Sequence, residues 1–160
     1  MKTLIIFYSL EGNTKFLAES ISSTIGADTF EIKTTKEMGT GFMKYFWGGK
    51  QVMMKEKPEI LSFDKNLADY EMILIGSPVW ASTFAPALYT FLNNNKIAGK
   101  KVALFCSYGG SVGRTLDNLK VVLKDNEIVG EIGFKNPLKD KEASAKKIQE
   151  WIKDIMAKQI

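Results

Sequence analysis

Ser9-Leu10-Glu11-Gly12-Asn13-Thr14 gathers two hydroxyls, an amide, a carboxylate and a glycine into one short stretch. What such a set can do depends on its surroundings. The apolar run Leu4-Ile5-Ile6-Phe7-Tyr8 precedes it, and Leu17, Ala18, Ile21 and Ile25 recur after it at helical spacing. A buried strand therefore passes through a polar loop into a helix N-terminus. The first-turn N–H groups of a helix lack intrahelical partners, and the dipole adds positive charge there, so the place favours a phosphate. Ser9 and Thr14 offer hydroxyls, Asn13 an amide, and Gly12 lets the backbone approach an anion with no Cβ in the way. The local alternative is an N-cap and turn with no ligand. Two commoner phosphate binders are excluded, since the loop has neither a P-loop's Gly-Lys-Ser/Thr ending nor the three glycines of a dinucleotide fingerprint.

Two further segments carry candidate binding residues. Gly76-Ser77-Pro78-Val79-Trp80-Ala81-Ser82-Thr83 follows one apolar run, and Ser107-Tyr108-Gly109-Gly110-Ser111-Val112-Gly113 follows another. Each sets one large aromatic ring among small residues, where it has little local core to join. Trp80 and Tyr108 could sandwich a planar ring, stacking being worth about 1 kcal/mol each beyond area burial. Gly109 and Gly110 would let backbone N–H groups reach that ring's polar edge. The competing reading has Trp80 capping the core and the glycines making only a turn.

The elements that position these loops alternate. Strand candidates are Leu4 to Phe7, Thr29 to Lys33, Met72 to Gly76, Val102 to Ser107 and Ile128 to Phe134. Helical stripes separate most of them: Phe84, Ala87, Leu88, Phe91 and Leu92; Leu116, Leu119 and Leu123; Ala145, Ile148, Ile152 and Ile155. Alternation of this kind gives parallel strands joined by right-handed crossovers, with helices on both faces. The first, third and fourth strands are continuously apolar, as strands buried on both faces must be. The second and fifth carry charges among their apolar residues and suit edges. The expectation is an α/β, three-layer, doubly wound fold with a five-stranded parallel sheet in the order 2-1-3-4-5. That order opens a crevice between strands 1 and 3 at their C-terminal ends, and all three loops leave that edge.

Composition narrows the chemistry. The 160 residues, 45% hydrophobic and 25% charged, make one soluble domain over 1–160. No signal peptide is evident and no apolar stretch reaches membrane-spanning length, so a membrane is not an expected partner. The lone Cys106 fits a reducing cytoplasm. With no His at all, His-based triads and zinc or haem-His sites are excluded, and no catalytic or metal-ligating side chain is assigned. Any chemistry would then be carried by a cofactor. The net charge of +4 is spread along the chain, so nucleic acid is not an expected partner.

Together, Tyr8 to Thr14, Gly76 to Trp80 and Ser107 to Ser111 resemble the three flavin-mononucleotide loops of the flavodoxin family, over nearly the whole chain and in the family's order. The resemblance implies non-covalent FMN. Ser9, Leu10, Glu11, Gly12, Asn13 and Thr14 would hold its phosphate. Ser77, Pro78, Val79, Trp80 and Ala81 would lie along one side of the flavin, with Ser107, Tyr108, Gly109 and Gly110 around the other side and the pyrimidine end. It implies electron transfer, with a redox protein or a small-molecule electron donor or acceptor as partner. An FMN-dependent NAD(P)H or quinone oxidoreductase is the alternative. A phosphoacceptor receiver of the same fold is rejected, because Tyr8-Ser9 and Gly76-Ser77 stand where it needs acids. Three departures bear on the choice. Glu11 replaces the family's usual Thr, so its side chain is expected to point away from a phosphate. The chain is basic where electron-carrying members are acidic. Val79-Trp80-Ala81-Ser82 also lacks the Gly whose peptide flips beside flavin N5, which disfavours a dedicated one-electron shuttle.

The segment 36–57 stands apart. It carries Phe42, Tyr45, Phe46 and Trp47 at helical spacing, then Gly48-Gly49, and five Lys against two Glu. It reads either as helices packing an aromatic stripe on the sheet, or as a cover that hangs aromatics over the cofactor and offers lysines to an acidic partner or a phosphorylated cosubstrate.

Overall fold

The computed structural model describes residues 1–36 and 57–160. The aromatic and basic segment therefore lies outside the described residues, apart from its ends Lys36 and Lys57. Among the described residues, six strands form the sheet: β1 (Thr3–Phe7), β2 (Asp28–Glu31), β3 (Met72–Trp80), β4 (Thr83–Phe84), β5 (Lys101–Tyr108) and β6 (Glu127–Lys135). Five of them are parallel in the order β2-β1-β3-β5-β6, which is the expected 2-1-3-4-5. The two-residue β4 was not foreseen and pairs antiparallel with the end of β3. Among the described residues, four helices flank the sheet: α1 (Asn13–Ile25), α2 (Pro86–Asn94), α3 (Thr115–Val122) and α4 (Lys141–Lys158).

Strand alternation sorts the core into two halves, since successive side chains point to opposite faces. Leu4, Ile6, Ile73, Ile75, Val102 and Leu104 face Leu88 and Phe91 of α2 and Leu119 of α3. Ile5, Phe7, Met72, Leu74, Ala103 and Phe105 face Leu17 and Ile21 of α1 and Ile148, Ile152 and Ile155 of α4. Helices lie on both faces, so the central strands are buried on both, as their unbroken apolar texture requires.

Local chemistry sets the helix ends. Gly12 sits at the N-cap of α1 with φ 98°, and Gly26 closes that helix at φ 67° with its N–H donated to the Ser22 carbonyl. Pro86 opens α2, where its missing N–H costs nothing, and Phe84 is thereby placed in β4 rather than in the helix. Asp140 caps α4 by accepting from the Ala143 N–H at 3.1 Å.

Candidate functional site

At the C-terminal edge of the sheet, where the chain reverses between β1 and β3, the three loops meet around one cleft. The cleft has a volume of about 110 Å³. Ser9, Leu10, Glu11, Asn13 and Thr14 line it from the first loop. Pro78, Val79 and Trp80 line it from the end of β3, and Ser107, Tyr108 and Gly109 from the end of β5. Gly12, Ser77, Ala81 and Gly110 do not line it. Asn136, at the end of β6, does.

The first loop turns the chain from β1 into α1. Gly12 takes a left-handed backbone that L side chains rarely adopt, and this turns the chain from loop into helix. The Ser9 hydroxyl oxygen accepts from the N–H groups of Gly12 and Lys15, both at 3.2 Å. It thereby satisfies two of the N–H groups at the start of α1. The Asn13 carbonyl oxygen accepts from the Leu138 N–H at 3.3 Å, which orients that side chain. Glu11 is exposed at the rim, where solvent screens its charge.

Thr14 has a different task from the other hydroxyl residues. Its Oγ1 meets the Ser107 Oγ at 2.9 Å, and the two side chains are buried at 1% and 3% exposure. This bond ties the first turn of α1 to the end of β5. Ser77 is wholly buried behind the cleft, accepting from the Ala85 N–H at 2.9 Å and donating to the Pro78 carbonyl at 2.8 Å. It fixes the path of the chain from β3 to α2.

Trp80 is half-buried and packs edge-to-face on Tyr8, with ring centroids 5.5 Å apart. It thus joins the core through Tyr8 while lining the cleft, which combines both readings of its sequence context. Burial pushes the Tyr8 phenol up to about 12, so this ring is neutral at physiological pH. Tyr108 faces the cleft from the opposite loop.

The segment expected as one loop from Gly76 to Thr83 is instead mostly strand. β3 runs to Trp80, turns at Ala81 and Ser82, and returns as β4. Ala81 and Ser82 both have positive φ, 47° and 67°, which defines a two-residue hairpin turn of the primed type. A backbone conformation expected to need Gly is thus taken by two residues with side chains.

Asn136 was absent from the sequence-derived set. It stands at φ 43°, with its N–H donated to the Tyr108 carbonyl at 2.8 Å. The signal was there: Asn136-Pro137 is a turn-forming pair directly after the fifth strand, at the same sheet edge as the other loops. Among the described residues, no group of three His, Cys, Asp or Glu could hold a metal ion.

Fold and cleft together define an α/β protein with a cleft at the switch point of a doubly wound sheet. The chain belongs to the flavodoxin family, whose model matches residues 2–155. A Bacteroides uniformis protein assigned as a flavoprotein matches with a TM-score of 0.82 at 23% identity, over 95% of this chain and 97% of its own. A Lactobacillus acidophilus flavoprotein in complex with FMN matches at 0.72 and 28% identity, over 89% and 98%. Two-electron reduced flavodoxin of Megasphaera elsdenii matches at 0.59 and 24% identity, over 92% and 96%. The first and third of these share the fold. No curated protein matches the chain.

Proposed function

We propose that this chain binds FMN non-covalently in the switch-point cleft and transfers electrons through it. Bound FMN supplies the redox chemistry, and the protein supplies position and electrostatics. The single observation that carries the reading is the first loop, where the Ser9 hydroxyl already receives two N–H groups of an α1 N-terminus. A phosphate placed there gains those donors, the Asn13 amide and the helix dipole. Trp80 and Tyr108 then stand on opposite loops, where a ring extending from that phosphate would pass between them. Cys106 is buried and its thiol is pushed up to about 12 by desolvation and the nearby Glu131 charge, so it does not act as a nucleophile.

A second reading, an FMN-dependent NAD(P)H or quinone oxidoreductase, is favoured by the Ala81–Ser82 turn. Neither residue is Gly, and the turn is tied down, so it lacks the freedom a one-electron carrier uses to answer a change in flavin charge. The expected partner is accordingly a redox protein or a small-molecule electron donor or acceptor, in the cytoplasm. No helix among the described residues is long and apolar enough to cross a membrane. Reductive titration of the FMN-loaded protein separates the two readings. High retention of one-electron-reduced flavin supports the carrier, and direct passage to the two-electron state supports the oxidoreductase.

A further inference from the structure

Ala81 and Ser82 hold a left-handed conformation that is strained for an L-residue, and it persists only where the surroundings over-determine it. Those surroundings are supplied by the chain after β5. The Arg114 N–H donates to the Ser82 carbonyl at 2.8 Å and to the Ser82 hydroxyl oxygen at 3.2 Å. The Asn118 amide, one turn into α3, donates to the Thr83 hydroxyl oxygen at 2.9 Å. Gly113, at φ 55°, lies so close that a Cβ there would come within 2.8 Å of the Ser82 Cα and collide with the Ser82 side chain. The turn thus fits into the start of α3, and only Gly at position 113 allows it.

We propose that Gly113, Arg114 and Asn118 are positioning residues: they clamp the Ala81–Ser82 turn in its left-handed form and so fix Trp80, the preceding residue, as a preformed wall of the cleft. The clamp joins the second and third loops, just as the Thr14–Ser107 bond joins the first turn of α1 to the end of β5. None of the three clamp residues lines the cleft. The effect of the clamp on ligand affinity rests on the FMN reading, whereas the clamp itself is a property of the protein without ligand.

NMR on the protein without FMN tests it, because a left-handed residue shows a strong intraresidue Hα–HN cross-peak that an ordinary backbone does not. The clamp predicts strong cross-peaks at Ala81 and Ser82 before any ligand is added, weakened in Asn118→Ala and in Gly113→Ala. Asn118→Ala removes one side-chain bond and leaves the core untouched, so it remains informative if Gly113→Ala does not fold. FMN affinity, measured by quenching of flavin fluorescence, should fall about three- to tenfold in Asn118→Ala as the competent turn becomes a minority state. Ser82→Gly in that background should restore affinity, since Gly takes positive φ without help. Cross-peaks that appear only after FMN is added would overturn the clamp, as would cross-peaks that persist unchanged in both variants. Failure of the unmodified protein to bind FMN would refute the cofactor reading, and the cross-peaks would still decide the clamp.

Discussion

Removing the Thr14 hydroxyl should damage the protein twice, once in stability and once in the cleft. Thr14→Val keeps the shape of the side chain and deletes Oγ1, which leaves the Ser107 hydroxyl buried without its 2.9 Å partner. A neutral hydrogen bond is worth about 1 kcal/mol net, and stranding a buried partner adds its desolvation, about 1–3 kcal/mol in all. Ser107→Ala should cost a similar amount by stranding Thr14. The double variant removes both polar groups together and should cost much less than the sum of the two, giving a coupling of about 1 kcal/mol in a double-mutant cycle. Urea unfolding measures all four proteins, with an unchanged m-value confirming that stability alone has moved. FMN affinity should fall in each single variant, because the bond sets the distance between the first turn of α1 and the end of β5. Additive single effects, with coupling below about 0.3 kcal/mol, would refute the claim that this bond ties α1 to β5.

Thr115, wholly buried at the start of α3, has a hydroxyl with no hydrogen-bond partner among the described residues; Thr115→Val should therefore leave stability unchanged or raise it by up to about 1 kcal/mol, read as a shift in the urea midpoint. Trp80→Ala should weaken FMN binding at least tenfold, by loss of a stacking wall worth about 1 kcal/mol plus its buried area, and unchanged flavin fluorescence quenching would assign Trp80 to the core alone. Cys106 stays protonated in the fold, its thiol held near 12 by burial first and the Glu131 charge second, while the unfolded thiol ionises from about pH 8.5. The folded state thus retains a proton that the unfolded state loses, so this contribution to stability is full below about pH 8.5 and declines as pH climbs toward 12. Iodoacetamide at pH 9 should accordingly modify Cys106 at the rate of unfolding rather than at that of a free thiol.

The sheet order was legible because texture and topology agree: Leu4–Phe7, Met72–Ile75 and Val102–Phe105 have no polar interruption, and only central strands tolerate that. The loop after the third strand was harder. Gly76 and Pro78 look like breakers, yet both lie within β3. The missing side chain of Gly76 makes room for the Phe105 ring of the neighbouring strand. Gly76 turns its carbonyl toward β1, where it accepts from the Tyr8 N–H, so Pro78 two residues on also faces that side, beyond the end of β1. A proline there forfeits no ladder hydrogen bond. Both explanations depend on neighbours remote in sequence, which local propensity does not register. The left-handed Ala81 and Ser82 were hidden for the same reason, since what holds them is Gly113, Arg114 and Asn118. Polar loop residues announced the cleft as a set, but their separate tasks were not visible. Thr14 and Ser77 look like ligand hydroxyls in sequence and serve as internal ties in the fold.

The most direct test of the account compares FMN with riboflavin on the same purified protein. The two share the ring that would meet Trp80 and Tyr108 and differ only in the phosphate that would meet Ser9 to Thr14. Charge-assisted hydrogen bonds are each worth about 1.5–3 kcal/mol, and a helix N-terminus supplies at least two, so FMN should bind at least a hundredfold more tightly. That preference should shrink as salt is raised, because the loop lies at a solvent-exposed rim. Equal affinity for the two flavins would contradict the assignment of this loop as a phosphate seat.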